Sequence, residues 1–110
     1  MAYNKRELFS TELQDCSTLF KALGHPARLA ILRYLAETKT CITGDIADEI
    51  PLGRTTVNQH LKELKDAGLI QGTTEGVKTC YCLDPKNICG LKKLLEKFIN
   101  EINISETLKC

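Results

Sequence analysis

The stretch RTTVNQHLKELKDAGLI, Arg54 to Ile70, decides how this chain is read. Wound at about 100° per residue, Val57, Leu61 and Leu64 fall in one narrow arc, the face of a helix that must be buried. The opposite arc carries Thr55, Gln59 and Lys62, flanked by Arg54 and Asn58. None is a large apolar residue, and all can donate hydrogen bonds. Arg pairs with the acceptors of guanine, and Asn or Gln with adenine, in the major groove of DNA. Thr55 and Thr56 stand at the helix start, where open backbone N–H groups favour phosphate. The polar residues crowd into the N-terminal half, the half that a recognition helix turns towards bases. The plain alternative is a solvated face. Such faces favour pairs like Lys62 with Asp66, whereas the Thr-Thr-x-Asn-Gln cluster carries no acid.

Outward from this helix the chain punctuates itself. Phe9, Leu13, Cys16, Phe20 and Leu23 recur at spacings that make one stripe of a first helix, ended by Gly24. Pro26 suits the first position of a second helix, which carries Leu29, Leu32, Leu35 and Ala36 and runs to about Thr38. Cys41 and Ile42 read as a short extended piece. Thr43 then caps a short third helix to Ile50, stopped by Pro51. Leu52 and Gly53 form a tight turn, and the fourth helix follows to Ala67, with Gly68 as its C-cap. Leu69–Thr74 and Val77–Leu83 read as a hairpin turning at Glu75 and Gly76. Asp84 and Pro85 open a last helix with the stripe Leu91, Leu94, Leu95, Phe98, Ile99 and Ile102. The tail after Ser105 is expected to fray.

The order is helix, helix, helix, helix, strand, strand, helix. That is mainly α with a β-hairpin wing, a winged helix-turn-helix. The helix-turn-helix covers about 43–68 and the wing about 69–83. The chain of 110 residues suits a single domain, 1–110. Its composition, 43% apolar and 26% charged, is ordinary for a globular protein. A formal net charge of +1 provides no global basic field, so any DNA surface must be local. On the wing, Lys78 beside the Gly turn is placed to reach a phosphate or the minor groove, with Glu75 working against it.

No apolar run approaches the roughly 18 residues that span a bilayer, and Met1–Thr11 lacks the apolar stretch of a secretory signal. The expected location is the cytoplasm, where six cysteines act as thiols or ligands rather than disulfides. Catalysis is not expected. Neither His25 nor His60 lies beside a cysteine, and no Gly-rich phosphate loop or paired-acid motif is present. A winged helix used only for protein contacts is a further alternative, and the salt dependence of DNA binding separates the two.

Three segments together resemble the ArsR-type (ArsR/SmtB) bacterial regulators: LFKALGHPARLAILRYL, TTVNQHLKELKDAGLI and EGVKTCYCL. The resemblance covers roughly residues 17 to 98. It implies a homodimer held by the first and last helices, about 7–23 and 85–104. It also implies a double-stranded operator with two half-sites, and repression lifted by a small effector. The family's base-contacting positions fall on Arg54, Thr55, Asn58 and Gln59, the face chosen by the helical wheel. The dimer residues would be Phe9, Leu13, Leu94, Leu95, Phe98, Ile99 and Ile102. Six apolar residues on the last helix exceed what one small chain can cover. His25 and His60 match positions that look structural, although His60 could touch a phosphate.

Many members of that family bind metal ions. A zinc site on the last helix needs His there, and this chain has none after His60. A Cys-x-Cys site at the third helix is incomplete, because CITGD supplies only Cys41. Cys16 lies in an apolar stripe and reads as a small core residue, and Cys110 as tail. Strand alternation puts Cys80 and Cys82 on one face, roughly 7 Å apart at Cα. Cys89 lies one turn into the last helix on its polar face, where packing does not explain it. Three thiolates from Cys80, Cys82 and Cys89 would suit a soft inducer such as As(III) or Sb(III), with no cofactor required otherwise. The alternatives are a thiol-redox or persulfide sensor, and a regulator with no metal site at all.

Overall fold

Ser10 decides where the first helix begins. Its hydroxyl accepts a hydrogen bond from the Leu13 N–H at 3.2 Å, and α1 runs Thr11–Leu23. Lys5–Leu8 form a separate 3-10 turn, so the helix starts later than the expected residue 7. The computed structural model describes residues 5–38, 42–43, 46, 50–75 and 78–103. Helix α2 spans Pro26–Thr38, and the His25 ring caps it, Nδ1 accepting from the Ala27 N–H at 3.0 Å. Ala27, Ile31 and Leu35, one turn apart, are its buried stripe. Leu29, 47% exposed, lies off that stripe.

Ile42–Thr43 form the short strand β1. Thr43 is the second residue of that strand. Most of the expected third helix, 43–50, lies outside the described residues, of which Ile46 and Ile50 are buried in the core. Helix α3 spans Arg54–Asp66 and ends through Ala67 into Gly68, whose φ of +80° is the left-handed conformation that terminates helices. Strands β2, Ile70–Glu75, and β3, Lys78–Leu83, form the antiparallel wing, pairing Ile70 with Leu83 and Glu75 with Lys78. β1 adds to the other edge of β3, Ile42 opposite Tyr81, giving the order β1-β3-β2. The extended piece around Ile42 thus becomes a third strand that anchors the wing.

Helix α4 spans Pro85–Glu101, with Asp84 accepting from the Asn87 N–H at 3.2 Å. Among the described residues there are four α-helices. The core joins α2, α3 and the sheet through Ile31, Leu35, Val57, Leu64, Leu69 and Ile70, with Leu91 sealing it from α4. This is the winged helix-turn-helix layout, mainly helical, with α3 placed between the core and the hairpin.

Candidate nucleic-acid interface

Helix α3 divides as its period requires. Val57, Leu61 and Leu64 are 1%, 3% and 0% exposed. Thr55, Thr56, Asn58, Gln59 and Lys62 are all exposed. Gly53 starts the helix without a side-chain cap, which leaves first-turn N–H groups open to an acceptor from outside the chain. The backbone puts Arg54 first on α3 and Lys78 first on β3, and their side chains lie outside the described part.

The outward face has two halves of different character. The first two turns carry no acid. Further along, Gln59 Nε2 donates to Glu63 Oε1 at 3.3 Å, and Lys62 Nζ lies 3.0 Å from Asp66 Oδ2. That bond to Asp66, with its charge, raises the Lys62 ammonium above its ordinary range. Lys62 is therefore directed along its own helix, towards Asp66.

His60 is the buried polar side chain of the described residues, only 7% exposed. Arg28 Nε donates to its Nδ1 at 3.2 Å, and the His25 ring lies against it, centroids 4.2 Å apart. Burial, then the His25 and Arg28 charges, push the His60 imidazole below its ordinary value, with Glu63 opposing. A phosphate contact from His60 does not fit this burial. The wheel holds the signal for it, since His60 precedes Leu61 and follows Val57 by three on the edge of the core arc. Its partner Arg28, thirty-two residues away, left no such trace.

On the wing, Tyr81 and Leu83 pack against the core while Cys80 and Cys82 occupy the alternate positions, half-buried. Cys89 is exposed on α4 and Cys16 is buried, as their stripes require. Among the described residues no group of three His, Cys, Asp or Glu side chains is arranged to hold a metal ion. The Cys80, Cys82 and Cys89 triad is thus not a preassembled site in this chain.

The apolar residues of α1, of the segment just before it and of α4 also divide. Phe98 stacks edge-on against Phe20, centroids 5.4 Å apart, Leu95 packs on the core, and Leu94 is half-buried. Phe9, Leu13, Ile99 and Ile102 remain 60%, 47%, 58% and 57% exposed. Leu8, 67% exposed, joins them and had no periodic partner to reveal it.

Residues 23–73 match the helix-turn-helix domain family. The chain is 32% identical over 84 residues to an uncharacterised HTH-type transcriptional regulator of Methanocaldococcus jannaschii, spanning 76% of this chain and 94% of that one. It is also 32% identical over 94 residues to a cadmium resistance transcriptional regulatory protein CadC homolog of Staphylococcus aureus, spanning 84% and 74%. A solved homodimeric winged helix-turn-helix domain from Mycobacterium bovis, a possible ArsR-family regulator, superposes with a TM-score of 0.64 at 27% identity, covering 92% of each chain. The chain belongs to the ArsR/SmtB family of transcriptional regulators. As an ArsR/SmtB regulator it is a DNA-binding protein and not an enzyme. Among the described residues no helix is long and apolar enough to cross a membrane.

Proposed function

We propose that this ArsR/SmtB regulator is a homodimeric, cytoplasmic repressor whose two α3 helices enter successive major grooves of an operator. The observation that carries the reading is the division of α3. The same helix that locks Val57, Leu61 and Leu64 into the core holds Thr55, Thr56, Asn58 and Gln59 outward, on a surface whose first acid is Glu63, bonded to Gln59. Arg54 at the helix start and Lys78 at the wing belong to the same proposed contact. Asn58 and Gln59 supply paired donor and acceptor groups for adenine, and the open α3 N-terminus supplies phosphate contacts.

Dimerisation is supported by the homodimeric M. bovis relative and by the exposure of the apolar side chains Phe9, Leu13, Ile99 and Ile102. A twofold axis beside the first and last helices would present two reading helices to a palindromic site.

Release is proposed to act through the thiols of the wing and last helix, Cys80, Cys82 and Cys89. The single chain does not fit a ready-made three-thiolate centre, so an effector must draw the groups together or modify them. A thiophilic species such as arsenite and a thiol oxidant are the two candidates, and the cadmium-resistance relative favours the former.

A gel-shift titration on the duplex upstream of the chain's own coding sequence tests the reading. Specific retention that weakens steeply with salt is expected. Absence of retention at low salt would leave only a protein-contact module. Arsenite, cadmium, zinc and a peroxide added in turn should identify the releasing agent. If a Cys80, Cys82 and Cys89 triple Ser variant is released as readily as the parent chain, the thiols are not the sensor.

A further inference from the structure

One polar cluster, with the buried His60 at its centre, lies behind the reading helix and takes no part in the contact just described. Arg28, on the first turn of α2, is half-buried and spends its guanidinium in two directions. Its Nη1 donates to the Lys21 and Ala22 carbonyls, at 3.1 and 3.3 Å, in the last turn of α1. Its Nε donates to His60 Nδ1, at 3.2 Å, on the rear of α3. The cation thus caps the C-terminal end of α1, where the Lys21 carbonyl also accepts from the Gly24 N–H. In the same geometry it holds α3 through the buried His60.

We propose that Arg28 is a positioning residue that clamps the reading helix to α1, and that the clamp opens when His60 takes up a proton. The inference rests on the reading of α3 as the DNA-contacting helix. The hydrogen-bond geometry requires the neutral tautomer of His60, with its proton on Nε2 and Nδ1 accepting. A proton from solvent can join only at Nδ1. The acceptor then becomes a second donor facing the Arg28 N–H, and a contact between a cation and a neutral ring becomes a pair of like charges.

The charged and titratable groups around His60 decide the direction. From α2 come Arg28 and His25, the latter with its ring 4.2 Å away. From α3 itself comes Glu63, the one group that favours the charged imidazole. α1 brings carbonyl oxygens to the guanidinium, and the Lys21 side chain is exposed. His25 is itself tied, since its Nδ1 accepts the Ala27 N–H that caps α2. Acid therefore adds a proton to an imidazole that already faces the Arg28 guanidinium and the His25 ring, and opening the clamp relieves the repulsion. The consequence is a regulator whose reading helix is rigidly set at neutral pH and loosened in acid.

Two measurements on the full chain test this. The first is retention of the upstream duplex between pH 7.5 and 5.5 at constant ionic strength. The second is hydrogen exchange of the amides 57–66 in the DNA-free chain over the same range, corrected for intrinsic exchange. The parent chain should lose affinity by about tenfold or more, and α3 should lose protection while α4 keeps it. In His60→Asn, the Asn Oδ1 still accepts from Arg28 but does not titrate, so both profiles should flatten. Arg28→Gln should flatten both profiles as well, with weaker binding throughout. His25→Asn should move the midpoint to higher pH, because one neighbouring charge is gone. If His60→Asn, or Arg28→Gln should that variant not fold, retains the parent's pH profile, the clamp is wrong. If the parent retains no DNA at any pH, the reading of α3 fails, while the protection profile still decides the clamp.

Discussion

Gly68 and His60 are single residues on which the placement of α3 depends. Gly68 takes φ +80°, and a Cβ there would lie 3.0 Å from Asn87 Nδ2, which donates to the Gly68 carbonyl at 2.8 Å. A side chain would therefore meet both backbone strain and a hydrogen-bonded neighbour. Gly68→Ala is expected to cost about 1–3 kcal/mol, read as a lowered midpoint in urea unfolding. His60 sets a pH dependence. Burial first, and the neighbouring charges second, hold its pKa below the ordinary 6.5. Between the lowered value and 6.5 the unfolded chain binds the extra proton. Stability is therefore full above 6.5, falls as pH drops below it, and levels once the folded imidazole also protonates. Urea midpoints at pH 7.5, 6.5 and 5.5 should decline in that order, and less steeply in His60→Asn. Gly68 was legible as a helix stop. The burial of His60 was visible only as a position at the edge of an arc.

Among the elements, α3 shows how one period separates stability from recognition. Leu64 has no exposed surface, and Leu64→Ala should cost about 2–5 kcal/mol through lost burial and the cavity left behind. Asn58→Ala on the opposite face should change stability by less than about 0.5 kcal/mol. It should weaken a cognate operator by about 1–3 kcal/mol, if Asn58 reads a base. Unfolding curves and DNA titrations on the same two variants check both halves. The ends of α1 and α3 and the start of α4 were readable because Gly24, Gly68, Asp84 and Pro85 act on their immediate neighbours, whereas the Ser10 cap that starts α1 was not read. The register of β1 was not readable either, because Ile42 meets Tyr81, thirty-nine positions further along the chain. A short extended piece carries no mark of which strand it will join.

At the scale of the molecule, the question is what covers the apolar surface of α1 and α4. The radius of gyration, 16.9 Å, exceeds the roughly 13 Å of a compact chain of this length. Phe9, Leu13, Ile99 and Ile102 stand exposed on this flat body, whereas Phe98 and Leu95 of the same stripe are used within the chain. Ile99→Asp should therefore leave the fold intact and shift the chain to monomer in sedimentation equilibrium. Operator affinity should fall with it, because each half-site then binds alone. Lys97 and Glu12 join the two helices at 2.6 Å across this region, but both are exposed and contribute little to stability. Lys97→Ala should consequently leave the oligomer unchanged.

By itself the sequence determined what depends on near neighbours. Residues three and four apart share a helix face, so the buried and outward sides of α3 follow from the order of its residues. Caps and turns act within a few residues of their own position. Only the tertiary structure decided what depends on distant partners. It showed that His60 accepts a hydrogen bond from Arg28, that Ile42 completes the sheet, and which apolar residues of α4 are already covered. It also showed that Cys80, Cys82 and Cys89 are not gathered into one site. The physical reason is the same in each case. A hydrogen bond or a packing contact between remote segments depends on where the whole core brings them, and neither segment records its partner.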